Sequence, residues 1–131
     1  MKTLKMEFPD NFYSYLKNNT LIEIKGGIDR ESFLKIWMVI VDQRVFARSW
    51  NKSANSWFTE FIKTGCGYIK YGNEIIPVKG IKLHKSDETN NLIDKAYLKK
   101  YTQKENIPYA KGITQAEYAD YTMEFFWDAN K

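Results

Sequence analysis

Arg48-Ser49-Trp50-Asn51-Lys52-Ser53, with Trp57 close behind, crowds guanidinium, ammonium, hydroxyl and indole groups into ten residues. A guanidinium offers a planar fork of donors that matches phosphate or carboxylate, and an indole offers a face on which a planar ring can stack. Ser56 has the chemistry of a helix N-cap, and Trp57 to Lys63 has helical apolar spacing that ends at Gly65. A helix start presents unpaired N–H groups and the positive end of its dipole, so a basic loop running into one suits an anion. The same residues have a plainer reading, in which Arg48 and Lys52 are solvated and Trp57 fills the core.

Such a corner needs strands to hold it. Leu34 to Val41 is a run of strand formers, apolar at nearly every position, which predicts a strand covered on both faces. Asp42-Gln43-Arg44 supplies a turn, and Val45 to Ser49 returns antiparallel as a central hairpin. That pairing brings Trp37 to the level of Arg48 to Trp50, so an indole and a guanidinium border one cavity. Thr20 to Lys25 reads as an earlier strand broken by Gly26-Gly27, and Ile28 to Ser32 as a charged loop. Gly67 to Tyr71 and Glu74 to Leu83 form a second hairpin around Gly72-Asn73, where Pro77 argues for an edge or a bulge. Helices are predicted from Asp10, with Phe12, Tyr13 and Leu16 buried, and from Asp87 to about Lys100. The second buries Leu92, Ile93, Ala96, Tyr97 and Tyr101 and leaves Lys95, Lys99 and Lys100 in solvent. Gln103 to Lys111 reads as a polar connection, Thr114 to Glu117 as a short helical turn, and Tyr121 to Trp127 as a last strand, with a terminal helix as its alternative.

The chain has 131 residues, 44% hydrophobic and 27% charged, which fits one globular domain spanning 1–131 and argues against disorder. Aromatics reach 16%, enough to fill a small barrel or to line a stacking surface. The formal charge of +4 lies wholly in the first half. Met1 to Tyr71 holds eleven cations against seven acids, and the remainder nine against nine. All three arginines, Arg30, Arg44 and Arg48, fall in that half, which hints at anion recognition there. Cys66 alone excludes an internal disulfide, and His84 has no second ligand nearby, so no metal is expected. The longest strongly apolar run, Ile36 to Val41, is far short of the roughly 20 residues of a membrane helix, and a cytoplasmic, non-membrane protein is expected.

Ile36-Trp37 in a strand, Val45-Phe46-Ala47-Arg48-Ser49-Trp50 after the turn, Trp57, and then Gly65 to Tyr71 with a hairpin return at Gly72 together resemble the FMN-binding split-barrel superfamily. Specifically, the chain resembles a small bacterial family of unknown function related to deazaflavin-dependent nitroreductases and pyridoxamine phosphate oxidases. The resemblance runs from Leu21 to Leu83 and continues into the helix from Glu88 to Tyr101. It implies an α+β fold, a split β-barrel of about six mostly antiparallel strands with peripheral helices. It also implies FMN or a deazaflavin as cofactor and a homodimer as the assembly. Carried across, Arg48 and Ser49 take the phosphate-contacting positions, Trp57 opens the helix after them, and Trp37 to Val39 line the ring.

Three functions compete on these grounds. One is a flavin-type oxidoreductase in which Arg48, Ser49, Lys52 and the Trp57 helix start hold phosphate while Trp37 and Trp50 border the ring. Another is a split-barrel module that binds a small molecule or a partner without redox chemistry. Single-stranded nucleic-acid binding ranks last, because the charge excess is small.

Overall fold

One antiparallel sheet curls into a half-barrel with helices packed around it, an α+β architecture. The computed structural model describes residues 4–5, 7–27, 32–50 and 56–129. In chain order these are β1 (Leu4–Lys5), α1 (Asp10–Asn18), β2 (Ile22–Gly26), β3 (Leu34–Ile36), β4 (Val39–Val41) and β5 (Arg44–Arg48). There follow α2 (Trp57–Thr64), β6 (Cys66–Tyr71), β7 (Glu74–Lys82), α3 (Thr89–Lys100), α4 (Ile107–Ile113), a 3-10 turn at Ala116–Tyr121 and β8 (Thr122–Asp128). None of the described helices is long and apolar enough to cross a membrane.

The sheet order β3-β2-β6-β7-β8-β5-β4 explains the curl. Its two outermost strands are consecutive in the chain, joined only by Trp37 and Met38. Three Cα steps span at most about 11 Å, so the two edges of the sheet must approach each other. The long strand expected over Leu34 to Val41 is therefore two short ones. β3 pairs with β2 and β4 with β5, and the hairpin they were expected to centre lies at an edge. Both-face burial belongs instead to β5, where Val45 and Ala47 join one core cluster and Phe46 the other. This split, together with the short β1, raises the six strands read from the sequence to eight.

Backbone groups at the break find partners on α3. Met38 N–H donates to the Tyr101 hydroxyl at 3.1 Å, and that hydroxyl donates to the Thr20 carbonyl at 2.7 Å. The Met38 carbonyl accepts from Lys100 Nζ at 2.7 Å. Lys100, expected in solvent, is thus half-buried at the seam, and burial lowers its pKa to about 8. Leu92, expected in the core, is exposed, while Asn90 is buried in its stead.

The turns follow their chemistry. Asp42 and Gln43 both have positive φ, as a two-residue hairpin with inverted turn geometry requires, and the Gln43 carbonyl accepts from the Tyr13 hydroxyl of α1 at 2.8 Å. Pro77 lies in an interior strand, contrary to expectation. The ladder of β7 to β8 begins only at Val78, so no partner on that side asks for the N–H that proline lacks. Gln103 to Lys111, read as a polar connection, instead runs into α4 (Ile107–Ile113), with Pro108 in its first turn, where that N–H has no intrahelical partner anyway.

Helix α2 lies directly on the sheet because three neighbouring strands are bare beneath it. Gly26 of β2, Gly67 of β6 and Gly80 of β7 each face the Phe61 ring, at 3.2, 2.5 and 2.5 Å from where a Cβ would stand. Gly26 and Gly67 are also paired in register, so Gly26 belongs to the strand it was expected to break.

Candidate functional site

Where β5 ends and α2 begins, a cavity of about 310 Å³ opens. β3 supplies Leu34, Lys35 and Ile36, the joint supplies Trp37, and the end of β5 and its continuation supply Arg48, Ser49 and Trp50. Leu21, Trp57 from the first turn of α2 and Ile113 from the end of α4 complete the lining. The register accounts for the meeting of Trp37 and Arg48. Val41 faces Arg44 and Val39 faces Phe46, and extending that ladder by two residues carries Trp37 opposite Arg48. Five of the six residues selected from the sequence, Trp37, Arg48, Ser49, Trp50 and Trp57, line this cavity. Lys52 lies outside the described residues, as do Arg30 and the remainder of 51–55.

The Arg48 guanidinium is turned inward. Nε donates to Thr122 Oγ1 at 2.9 Å, Nη1 to Asp94 Oδ1 and to the Ile113 carbonyl at 3.2 Å. Nη2 donates to the Asn90 carbonyl at 3.3 Å and to Asn90 Oδ1 at 3.1 Å. All five donors are engaged and the residue is only 2% exposed. Even its backbone N–H is used, donating to the Tyr97 hydroxyl at 2.8 Å. Burial holds that phenol protonated well above its ordinary range. Arg44 is likewise committed, in a two-pronged ion pair with Glu124 at 2.8 and 2.9 Å. The two described arginines of the cluster that hinted at anion recognition therefore neutralise the protein's own carboxylates.

The indoles differ in role. Trp37 stacks on Tyr101 with ring centres 3.8 Å apart and planes 7° from parallel, so its ring is held in one position. Trp50 is 44% exposed and leans edge-on against Tyr118 at 5.0 Å and Tyr109 at 6.3 Å. Trp57 is 4% exposed, within ring-contact distance of Phe58, Phe61 and Phe125. It is core and wall at once. Trp57→Ala is expected to cost about 3–5 kcal/mol of stability, read as a lower urea midpoint, whereas a residue serving only a ligand would leave the midpoint unchanged.

Several contributors were not selected from the sequence. Leu21, Leu34, Lys35 and Ile36 were read only as strand residues, and Ile113 belongs to the unexpected α4. Three of the partners of Arg48, Asn90, Asp94 and Tyr97, stand on α3 and with Tyr101 at its C-terminal cap form a stripe at spacings of four, three and four residues. A buried polar residue heading such a stripe is the available signal for an internal charge partner.

Among the described residues, the lining contains no carboxylate, imidazole or thiol. Its means are stacking, apolar contact and the Lys35 ammonium, at a volume near the lower end of small-ligand sites. No curated protein matches the chain. The model of a family described as an uncharacterised protein conserved in bacteria, DUF2255, matches residues 23–125 and so spans β3, β5, α2 and α4, which build the cavity; the chain belongs to that family.

Proposed function

We propose that the protein is a small-molecule-binding module whose indole-walled pocket takes a planar aromatic ligand by stacking. The observation that supports this most is the Trp37 ring, packed flat on Tyr101 while lining the same cavity as Trp50 and Trp57. A wall ordered in advance spares the ligand the entropy of ordering it. The described lining offers the Ser49 hydroxyl and the Lys35 amine but no carboxylate, imidazole or thiol to work with them.

A second reading keeps FMN or a deazaflavin as the ligand and leaves hydride transfer to the cofactor. The curled half-barrel is compatible with a split barrel, and the pocket's place between a strand end and a helix start favours this reading. It requires a phosphate grip from groups other than Arg48, whose donors are all engaged, and it carries the homodimer with it.

Titration with riboflavin and with FMN, followed by quenching of tryptophan fluorescence, separates the two. Stacking alone predicts similar affinities for both, and a loss of roughly three- to tenfold in Trp37→Ala, the worth of one aromatic pair. A strong preference for FMN, or protein that is yellow as purified, would transfer the site to the cofactor reading. No response to either flavin or to a smaller ring such as quinoline would sink the stacking reading.

A further inference from the structure

A second cavity of about 400 Å³ lies between α1, β4 and α3 and shares no lining residue with the indole pocket. Leu16, Val39, Ile40 and Ala96 make it apolar, and Lys17, Lys99 and Lys100 contribute three ammonium groups. Lys17 and Lys99 are exposed, whereas Lys100 is half-buried. Its Nζ donates to the Met38 carbonyl, which uses one of its three N–H bonds. Among the described residues the other two have no acceptor and no carboxylate pairs with this ammonium. The contact of Nζ with the Tyr101 ring, 5.3 Å from its centre, supplies only weak compensation.

A partly desolvated charge without a counter-ion is costly, and an anion seated beside it recovers much of that cost through charge-assisted hydrogen bonds. The apolar walls require that the anion bring an apolar body with it. We infer that this cleft binds a small monocarboxylate, its head accepting from Lys100 and its body lying along Leu16, Val39, Ile40 and Ala96. Lys17 and Lys99 are exposed and screened by water, so Lys100 is the one half-buried ammonium, and beside a mainly apolar surface it matches a single negative charge better than a phosphate dianion.

The test compares octanoate, octanol and acetate by calorimetry on the full chain. Octanoate should bind at least roughly tenfold more tightly than either of the others, since each lacks one of the two recognised parts. Lys100→Met should lose that preference and Lys100→Arg should keep it. Because Lys100 also holds the Met38 carbonyl, a second variant leaves the seam intact. Ala96→Leu fills the cleft and should lose octanoate binding while leaving the response of the indole pocket to riboflavin or quinoline as in the parent protein. Equal binding of octanoate and octanol, no octanoate binding at millimolar concentration, or full binding by Ala96→Leu would each overturn the assignment. Retention on anionic vesicles without binding of monomeric octanoate would do the same.

Discussion

Arg48→Met is expected to destabilise the protein by about 3–5 kcal/mol, chiefly because it strips donors from several buried acceptors, while its ion-pair partner Asp94 is 34% exposed. The substitution leaves Asp94 without its counter-charge and withdraws donors from Asn90 Oδ1, the Ile113 carbonyl and Thr122 Oγ1. Those acceptors come from α3, from the end of α4 and from β8, so the loss also loosens the connection between the helices and the sheet. Equilibrium urea unfolding of the parent and the variant measures it. A guanidinium held in readiness for a ligand would give the opposite pattern, with the unfolding midpoint retained and ligand affinity lost. The double variant Arg48→Met/Asp94→Leu is expected to recover part of the loss, because it removes the stranded carboxylate together with the arginine.

Gly67→Ala is expected to cost about 3 kcal/mol or more. Its methyl would stand 2.3 Å from the Lys25 carbonyl and 2.5 Å from Phe61 Cζ. A side chain can rotate away, but Lys25 is part of β2, the strand paired to β6 through Gly67, so relief requires moving a ladder. Gly72→Ala is the control. It lies in a hairpin turn at φ 61° with nothing within 4 Å of the added methyl, and its cost is the left-handed conformation alone, about 1–2 kcal/mol. Thermal unfolding of the two variants should rank them clearly. Equal losses would mean that the glycine floor under Phe61 is not what fixes the position of α2.

Much of this fold is legible in local sequence. The hairpin of β6 and β7, the Ser56-capped α2 and the last strand at Thr122–Asp128 all follow from turn residues, caps and strand formers within a few positions. The meeting of Trp37 with the stretch from Arg48 to Trp50 follows as well, because a short turn limits the register, although Arg44, read into the turn, belongs to β5. The fate of Arg48 does not. Its partners stand 42 to 74 residues away, and no periodicity reports which helix will offer a carboxylate. On α3, hydropathy finds Ile93, Ala96 and Tyr97 but misplaces Leu92 and overlooks Asn90. Leu92 and Leu98 are 46% and 45% exposed while Asn90 is buried, since satisfying a guanidinium outweighs burying another leucine there. The break at Trp37 and Met38 is equally silent, because it arises from the sheet's need to curl and its polar groups are satisfied by Tyr101 and Lys100, more than sixty residues later. Arg48 was selected as a ligand-binding residue because guanidinium chemistry is the same whether the anion it meets is foreign or its own.

The position of β8 bears on how the chain reaches this state during synthesis. It is the last of the described strands in chain order, yet it stands between β7 and β5 and pairs with both. Until it emerges, the meander of β2, β3, β6 and β7 and the hairpin of β4 and β5 are separate pieces with no ladder between them. Each presents an open, apolar strand edge to other nascent chains. The seam at Trp37 and Met38 tethers the two pieces but cannot pair them. Folding is thus held back until Thr122–Asp128 is available, and a ribosome stalled before residue 122 would display two sticky edges that the folded sheet conceals.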